Sequence, residues 1–165
     1  MKKLLFGVFE NAQSNDSGTA TWRHPGNERI HFDSLDYWVN IARICEAGGV
    51  DWLFLADAWG WSEIDGVRPE ICDIEALDLP RLDPSIVIAS LLQSTTRLGL
   101  VITGSTLVEA PYSFARRMAS LDHLSKGRIG WNVVTSGTAD TAAAAFGQAR
   151  IEHDERYEMA EDFIE

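Results

Sequence analysis

The sequence has few cysteines, few basic residues and no long apolar runs, and each shortage excludes a class of protein. Its 165 residues include only Cys45 and Cys72, which form no Cys-x-x-Cys pair, so neither a disulfide framework nor a zinc site is indicated. Lysine and arginine total 14 against 25 aspartates and glutamates, for a net charge of −11. Nucleic acids and anionic membranes attract clustered basic side chains, so we expect neither as a partner.

Two further absences concern location and cofactor class. No apolar run reaches the roughly 18 residues of a membrane span. The opening run Leu4–Phe9 is too short for a signal peptide and is followed by Glu10, so we expect a first strand and a protein of the reducing cytoplasm. No Gly-x-Gly-x-x-Gly follows that run, so a dinucleotide fingerprint is missing.

Short apolar runs alternate with helical patterns along the chain. The predicted strands are Leu4–Phe9, Val50–Ala56, Leu98–Thr103 and Ile129–Val134. The predicted helices run from about Leu35 to Ala47, Pro84 to Gln93, Tyr112 to Leu124 and Ile151 to Glu165, and the long loops are Glu10–Ile30 and Ala58–Pro80. Four strand–helix units in this order predict an α/β fold with parallel strands joined by right-handed crossovers.

Local signals refine these boundaries. Asp83 before Pro84 predicts a capped helix start, and Gly127 predicts a helix end in the left-handed conformation. The strand Ile129–Val134 is apolar except for Asn132, which is typical of a strand covered on both faces. An alanine-rich run within Gly137–Gly147 is compatible with a short helix.

Polar side chains stand at or just beyond the ends of three successive predicted strands. They are Asp57, Thr103, Asn132, Thr135 and Ser136. The carboxyl ends of parallel strands share one edge, where α/β folds bind their ligands, so together these residues predict a binding site. Each also has a structural alternative: Asp57 capping the following turn, the threonines as ordinary strand or turn residues, and Asn132 bonding neighbouring backbone.

His153 and Tyr157 lie four residues apart at the start of the last predicted helix, which places both on one face. Two donors beside the positive end of a helix would suit an anion such as a phosphate. The alternative is that Tyr157 packs in the core and His153 is a half-exposed residue of the helix start.

Aromatic and paired charged residues remain open to two interpretations. Trp59, Trp61 and Trp131 could wall a planar ligand, although core packing is favoured for Trp131. Trp22 stands in a loop motif that either anchors the loop or contacts a ligand. The Arg116–Arg117 pair is interpreted as a helix surface pair that bonds nearby acids.

Several longer stretches carry a family resemblance. They are TWRHP (Thr21–Pro25), DWLFLAD (Asp51–Asp57), APYSFARRMASLDHL (Ala110–Leu124), LDHLSKGRIGWNVVTS (Leu121–Ser136) and IEHDERYE (Ile151–Glu158). In this order they resemble the flavin-dependent monooxygenases related to bacterial luciferase, in the branch similar to nitrilotriacetate monooxygenase component A. Asp57, Thr103, His153 and Tyr157 match positions that look like flavin contacts in that family.

The resemblance implies a (β/α)8 TIM barrel, of which residues 1–165 would form a truncated domain of about four units. It also implies reduced FMN delivered by a separate flavin reductase, and O2-dependent oxidation of a small organic substrate. A half-barrel leaves two unpaired edges and an exposed apolar interior, so we expect either a fragment of a longer chain or a chain that depends on a partner copy in a homo-oligomer.

Two other functions remain open. The first is a non-catalytic half-barrel that folds only as an oligomer. The second is a barrel hydrolase that uses Asp57 and Glu109 as an acid–base pair.

Overall fold

A computed structural model describes residues 4–15, 23–136 and 139–165. Within these ranges one sheet of four parallel strands has the order β1-β2-β3-β4. The strands are β1 (Gly7–Asn11), β2 (Trp52–Ala56), β3 (Gly99–Ser105) and β4 (Ile129–Val134). The helices are α1 (Leu35–Ala47), α2 (Glu70–Ile74), α3 (Pro84–Leu91), α4 (Pro111–Ser125), α5 (Ala139–Ala145) and α6 (His153–Ile164). The predicted fold class is confirmed.

The predicted helix ends are confirmed where their capping chemistry was readable. The Asp83 carboxylate accepts a hydrogen bond from the Ser85 N–H at 2.8 Å and caps α3, with Pro84 in the first turn. At the end of α4, Gly127 has a φ of +82°, and Lys126 also enters the left-handed region at +61°. The backbone N–H of Gly127 bonds the Asp122 carbonyl, which closes the helix before β4 begins.

The core lies between the sheet and the helices on its outer face. Alternate residues of the two central strands point to this side and are almost fully buried: Leu53, Leu55, Leu100 and Ile102. They meet the apolar faces of α1 and α3, which contribute Trp38, Ala42, Ile88 and Leu91. Cys45 of α1 is buried in the same core as a free thiol.

The other face of the sheet is arranged in layers by the strand register. At the amino-terminal end Trp52 pairs with Gly7 and Gly99, and its ring occupies the space that a side chain at Gly7 would need. The next layer is apolar and contains Phe9, Phe54, Val101 and Gly130. The layer at the carboxyl ends is polar, with Asn11 beside Ala56 and Thr103 beside Asn132. A polar rim therefore stands above an aromatic floor.

The structure corrects the predicted coverage of β4. All of its residues are half-buried or exposed, because β4 is an edge of the sheet in the described part of the chain. Phe9, on the strand at the opposite edge, is 61% exposed and contacts Phe54 edge-on at 5.2 Å between ring centroids. An exposed apolar inner face is what the half-barrel prediction requires.

Several boundaries also differ from the prediction. The first strand covers Gly7–Asn11 and not Leu4–Phe9, and β3 continues to Ser105, two residues beyond the predicted end. The predicted loop Ala58–Pro80 contains the short helix α2, whose apolar residues are too few to give a readable period. The predictions that involve Thr21, Trp22 and Gly137 lie outside the described residues. None of the described helices has the length and apolarity needed to cross a membrane.

Gly104 of β3 offers a test of the packing between the sheet and α4. A Cβ at this position would overlap the Phe114 ring and lie 2.7 Å from Trp131 Nε1, which donates to the Gly104 carbonyl. We expect Gly104→Ala to lower the free energy of unfolding by about 1–3 kcal/mol, measured by urea denaturation. In the Phe114→Ala background the same change should cost clearly less. Equal costs in both backgrounds would contradict this packing.

Candidate functional site

Thr103 and Asn132 form the centre of the polar rim. The Asn132 side-chain amide donates to Thr103 Oγ1 at 3.2 Å, which joins the carboxyl ends of β3 and β4. Thr103 is only 5% exposed. Asn132 is thus bonded to another predicted site residue and not to neighbouring backbone, so these two predicted residues are brought together.

Asp57 follows β2 directly and lies in a cavity of about 340 Å³ that Thr103, Trp59 and Glu109 also line. Its Oδ1 atom accepts from the Ala58 N–H at 2.8 Å, so the turn-capping alternative is also realised. Burial raises the pKa of this carboxyl to about 6, against the lowering effects of the Ala58 hydrogen bond and the nearby Arg81 guanidinium. A carboxyl that titrates near neutrality inside a cavity is typical of functional sites.

Arg81 is a member of this site that sequence reasoning missed. Its Nη1 atom lies 3.8 Å from Asp57 Oδ1 and also donates to the Ala58 carbonyl. Its Nε and Nη2 atoms donate to the Asp78 carbonyl at 2.9 and 2.6 Å. A single arginine between the predicted loop and the predicted helix carries no periodic signal, so only the fold reveals this contact.

A second cleft adjoins the same edge. It has a volume of about 330 Å³ and is lined by Asp57 and Arg81 together with Asn11, Phe9 and Trp61. A larger open cleft of about 630 Å³ lies along the inner face toward the amino-terminal ends of the strands and reaches up to Asn132. Asp57 therefore stands between two cavities, and the predicted aromatic walls Trp59 and Trp61 line one each. Trp131 packs against Phe114 on the helical side, as the core alternative predicted.

The turn after β4 carries Thr135 and Ser136. Ser136 has a φ of +60° and its hydroxyl is buried against the Ser105 hydroxyl at 2.8 Å. Arg156 of α6 donates to the carbonyls of Thr135 and Ser136 at 2.9 and 2.7 Å. The start of α6 is therefore fastened to the same edge of the sheet as the polar rim.

His153 and Tyr157 share one face of α6, as their spacing predicted, with ring centroids 5.0 Å apart. Tyr157 is 53% exposed, so the alternative that it packs in the core is wrong. His153 Nδ1 lies 2.8 Å from Asp154 Oδ1. The two rings line neither of the Asp57 cavities, so the structure places them at the same edge but not in contact with Asp57 or Thr103.

Glu109 is ion-paired with Arg117, which lies over the Phe114 ring. For Arg117 this confirms the prediction that the arginine pair of α4 bonds nearby acids. It also weakens the hydrolase alternative, because one of its two proposed carboxylates is already held by a cation. Among the described residues, no group of three or more His, Cys, Asp or Glu side chains is arranged to hold a metal ion.

A parallel α/β sheet with a polar rim at its carboxyl edge is the architecture of a barrel enzyme segment. Residues 1–165 match the family model described as luciferase-like monooxygenase, and the chain belongs to that family. The match confirms the predicted family resemblance.

Individual relatives agree with this assignment. The chain is 41% identical over 165 residues to long-chain alkane monooxygenase of Geobacillus thermodenitrificans, covering 99% of this chain and 37% of that protein. It is 37% identical over 146 residues to nitrilotriacetate monooxygenase component A of Aminobacter aminovorans, covering 87% and 32%. The chain thus spans about a third of the length of these curated relatives.

A solved structure is more similar still. It is the crystal structure of riboflavin lyase with modified FMN and the substrate riboflavin, 72% identical, with a TM-score of 0.95. The match covers 99% of this chain and 36% of that one.

The elevated pKa of Asp57 predicts a pH-dependent contribution to stability. The folded chain holds this proton more tightly than the unfolded chain, so the contribution is complete below pH 4 and is lost as pH rises through 6. In the wild-type chain, Asp57 should lower the free energy of unfolding by up to about 3 kcal/mol between pH 4 and pH 8. Asp57→Asn should abolish this decrease, as measured by urea denaturation over the same pH range. Asp36→Asn, at an exposed site on α1, controls for the loss of a charge. Parallel curves for wild type and Asp57→Asn would contradict the assignment.

Proposed function

We propose that this chain carries part of the flavin site of an FMN-dependent monooxygenase. Thr103 and Asn132 of the polar rim would hold reduced FMN, together with Asp57 after β2 and with Thr135 and Ser136 of the adjoining turn. His153 and Tyr157 at the start of α6 would contribute from the same edge. The observation that carries the proposal is the polar rim above an aromatic floor, at the carboxyl edge of a sheet of the luciferase-like family.

The chemistry of the rim fits a flavin. A flavin ring needs flat apolar contacts, and its polar edge needs donors and acceptors. Phe9, Trp59 and Trp61 provide apolar faces within or beside the Asp57 cavities. Asp57 provides an acceptor, while Thr103 and Asn132 provide a hydroxyl and an amide. Bound reduced FMN would supply the electrons with which O2 is activated, and the residues of this chain would bind it, orient it and exclude water.

The degree of similarity to individual relatives supports a proposal for the substrate class. The curated relatives at 35–41% identity include monooxygenases named for a long-chain alkane and for dimethyl sulfide, so that level of identity does not define a substrate. The riboflavin lyase structure, at 72% identity, contains both a modified FMN and riboflavin. We therefore include oxidative cleavage of riboflavin in the proposal, as the particular reaction of the whole protein.

The remaining parts of the proposal concern partners and location. A separate flavin reductase would supply reduced FMN, as the name "component A" of one relative suggests. We also propose that the whole protein is a homo-oligomer, and the composition favours a cytoplasmic location. The competing hypothesis is a non-catalytic chain that binds no flavin.

Thr103→Val tests the rim as a flavin site. The substitution keeps the shape of the side chain but removes the hydroxyl that Asn132 bonds, so we expect about tenfold weaker binding of reduced FMN. Anaerobic titration with tryptophan fluorescence measures the affinity. Thr106→Val is the matched control, because Thr106 is also buried beside the end of β3 but bonds only the Val134 carbonyl. Equal affinities for the two variants would contradict the placement, and no binding by wild type would favour the non-catalytic hypothesis.

Riboflavin turnover tests the substrate. The purified full-length protein is supplied with O2, NADH, FMN and a flavin reductase, and riboflavin loss is followed by chromatography. We expect consumption of riboflavin that depends on the reductase, and none of dimethyl sulfide or a long-chain alkane under the same conditions. Turnover of either alternative substrate in place of riboflavin would refute this part of the proposal.

A further inference from the structure

The segment that precedes α3 is fastened to the exit of β1 by backbone and side-chain hydrogen bonds. The Leu82 N–H bonds the Ala12 carbonyl at 2.6 Å, and the Ser14 N–H bonds the Pro80 carbonyl at 3.1 Å. Arg81 lies between these two contacts and forms an antiparallel bridge with Gln13. The backbone around Arg81 is therefore hydrogen-bonded to the segment that follows β1.

The side chain of the same residue contacts the segment that follows β2. As described above, its guanidinium contacts Asp57, the Ala58 carbonyl and the Asp78 carbonyl. Only 15% of the side chain is exposed, so these contacts are made largely away from water. Arg81 is thus connected to both strand exits, through its backbone at β1 and its side chain at β2. The planar guanidinium suits this task because its five donors diverge in a fixed fork.

We propose that Arg81 is a positioning residue of this site: it holds the Asp57 carboxylate and the turn after β2 in place between the two adjoining cavities. The identity of the ligand that this arrangement would bind rests on the proposed function. The contact between Arg81 and Asp57 does not depend on it.

The charged groups around Asp57 determine what the loss of Arg81 would do. Asp83 at the start of α3 and Glu109 after β3 both raise the pKa of Asp57, and Arg81 is the cation that lowers it. Arg117 of α4 also lines the larger cavity, but it is paired with Glu109. Asp78 lines the smaller cavity together with Arg81. Without Arg81, Asp57 would face these acids without its nearest cation.

The test compares Arg81→Met with Arg68→Met in the purified full-length protein. Affinity for reduced FMN is measured anaerobically from pH 5 to 8. If ionised Asp57 accepts a hydrogen bond from the flavin, wild-type binding weakens as pH falls through about 6. For Arg81→Met we expect the midpoint of this profile to move upward by about one pH unit, because an opposite charge at this range lowers a carboxyl pKa by one to three units.

Arg68→Met is a matched structural control. Arg68 lies in the same connection, its side chain is 16% exposed, and it donates to the carbonyls of Cys72 and Leu77 and to Asp73. It does not contact Asp57, so its loss should lower stability without moving the midpoint. A role for Arg81 that was merely structural would leave the two midpoints equal, and that result would overturn the proposal. Arg81→Gln, which keeps an amide donor without the charge, is the second variant if Arg81→Met does not fold.

A direct readout separates this proposal from the proposed function. The titration of the Asp57 carboxyl is followed by 13C NMR in the absence of flavin. An upward shift in Arg81→Met but not in Arg68→Met supports the positioning role even if the wild-type protein binds no FMN. Unchanged titration of Asp57 in both variants overturns it whatever the flavin result.

Discussion

The register between the parallel strands is the constraint on which the rest of the structure depends. Residues that pair across β1, β2, β3 and β4 point to the same face, so each rung of the sheet becomes one layer of the inner surface. A shift of one residue in β3 or β4 would move Thr103 or Asn132 to the helical side and bring an apolar residue inward. The burial of Leu53, Leu55, Leu100 and Ile102 against α1 and α3 opposes such a shift. The hydrophobic core therefore fixes the position of the site, although it contributes little to its surface.

Charge in the site is organised by residues that come from connections and not from strands. Asp57, Arg81 and Glu109 reach the cavity from three separate segments, and Arg117 reaches it from α4. The cavity is lined by three acids, Asp57, Asp83 and Glu109, and by two arginines, of which Arg117 is ion-paired with Glu109. Burial and neighbouring acids raise the pKa of Asp57, while a single guanidinium limits the rise. This balance leaves the Asp57 carboxyl able to change its charge near neutral pH.

The end of the described chain is joined to the site by a different kind of contact. Arg156 bonds two backbone carbonyls of the turn after β4, and the buried Ser105–Ser136 hydroxyl pair holds that turn against β3. Such backbone contacts fix where α6 begins. They place His153 and Tyr157 at the correct edge but leave both rings exposed. Their role in holding a flavin therefore remains a prediction, which the family resemblance supports more strongly than their present contacts do.

Much of the fold was predictable because its signals are local. The helical period, the Asp83–Pro84 start and the Gly127 stop each act within a few residues, and the structure confirms them. The short helix α2 was missed because five residues cannot display a period. The two-sided coverage of β4 was wrong because burial depends on neighbours and not on the composition of the strand itself. Of the site, the meeting of Thr103 and Asn132 followed from parallel strand ends, but Arg81 could not be predicted.

By itself, then, the sequence determined the kind and order of the strands and longer helices, the family, and which strand ends carry polar groups, because these follow from chemistry between near neighbours along the chain. The tertiary structure decided the burial of Asp57, which raises its pKa, the pairing of Glu109 with Arg117, and the contact of Arg81 with Asp57. Those properties depend on burial and on distances between groups that are 8 to 52 residues apart in sequence. Only the packed fold brings such groups within reach of one another.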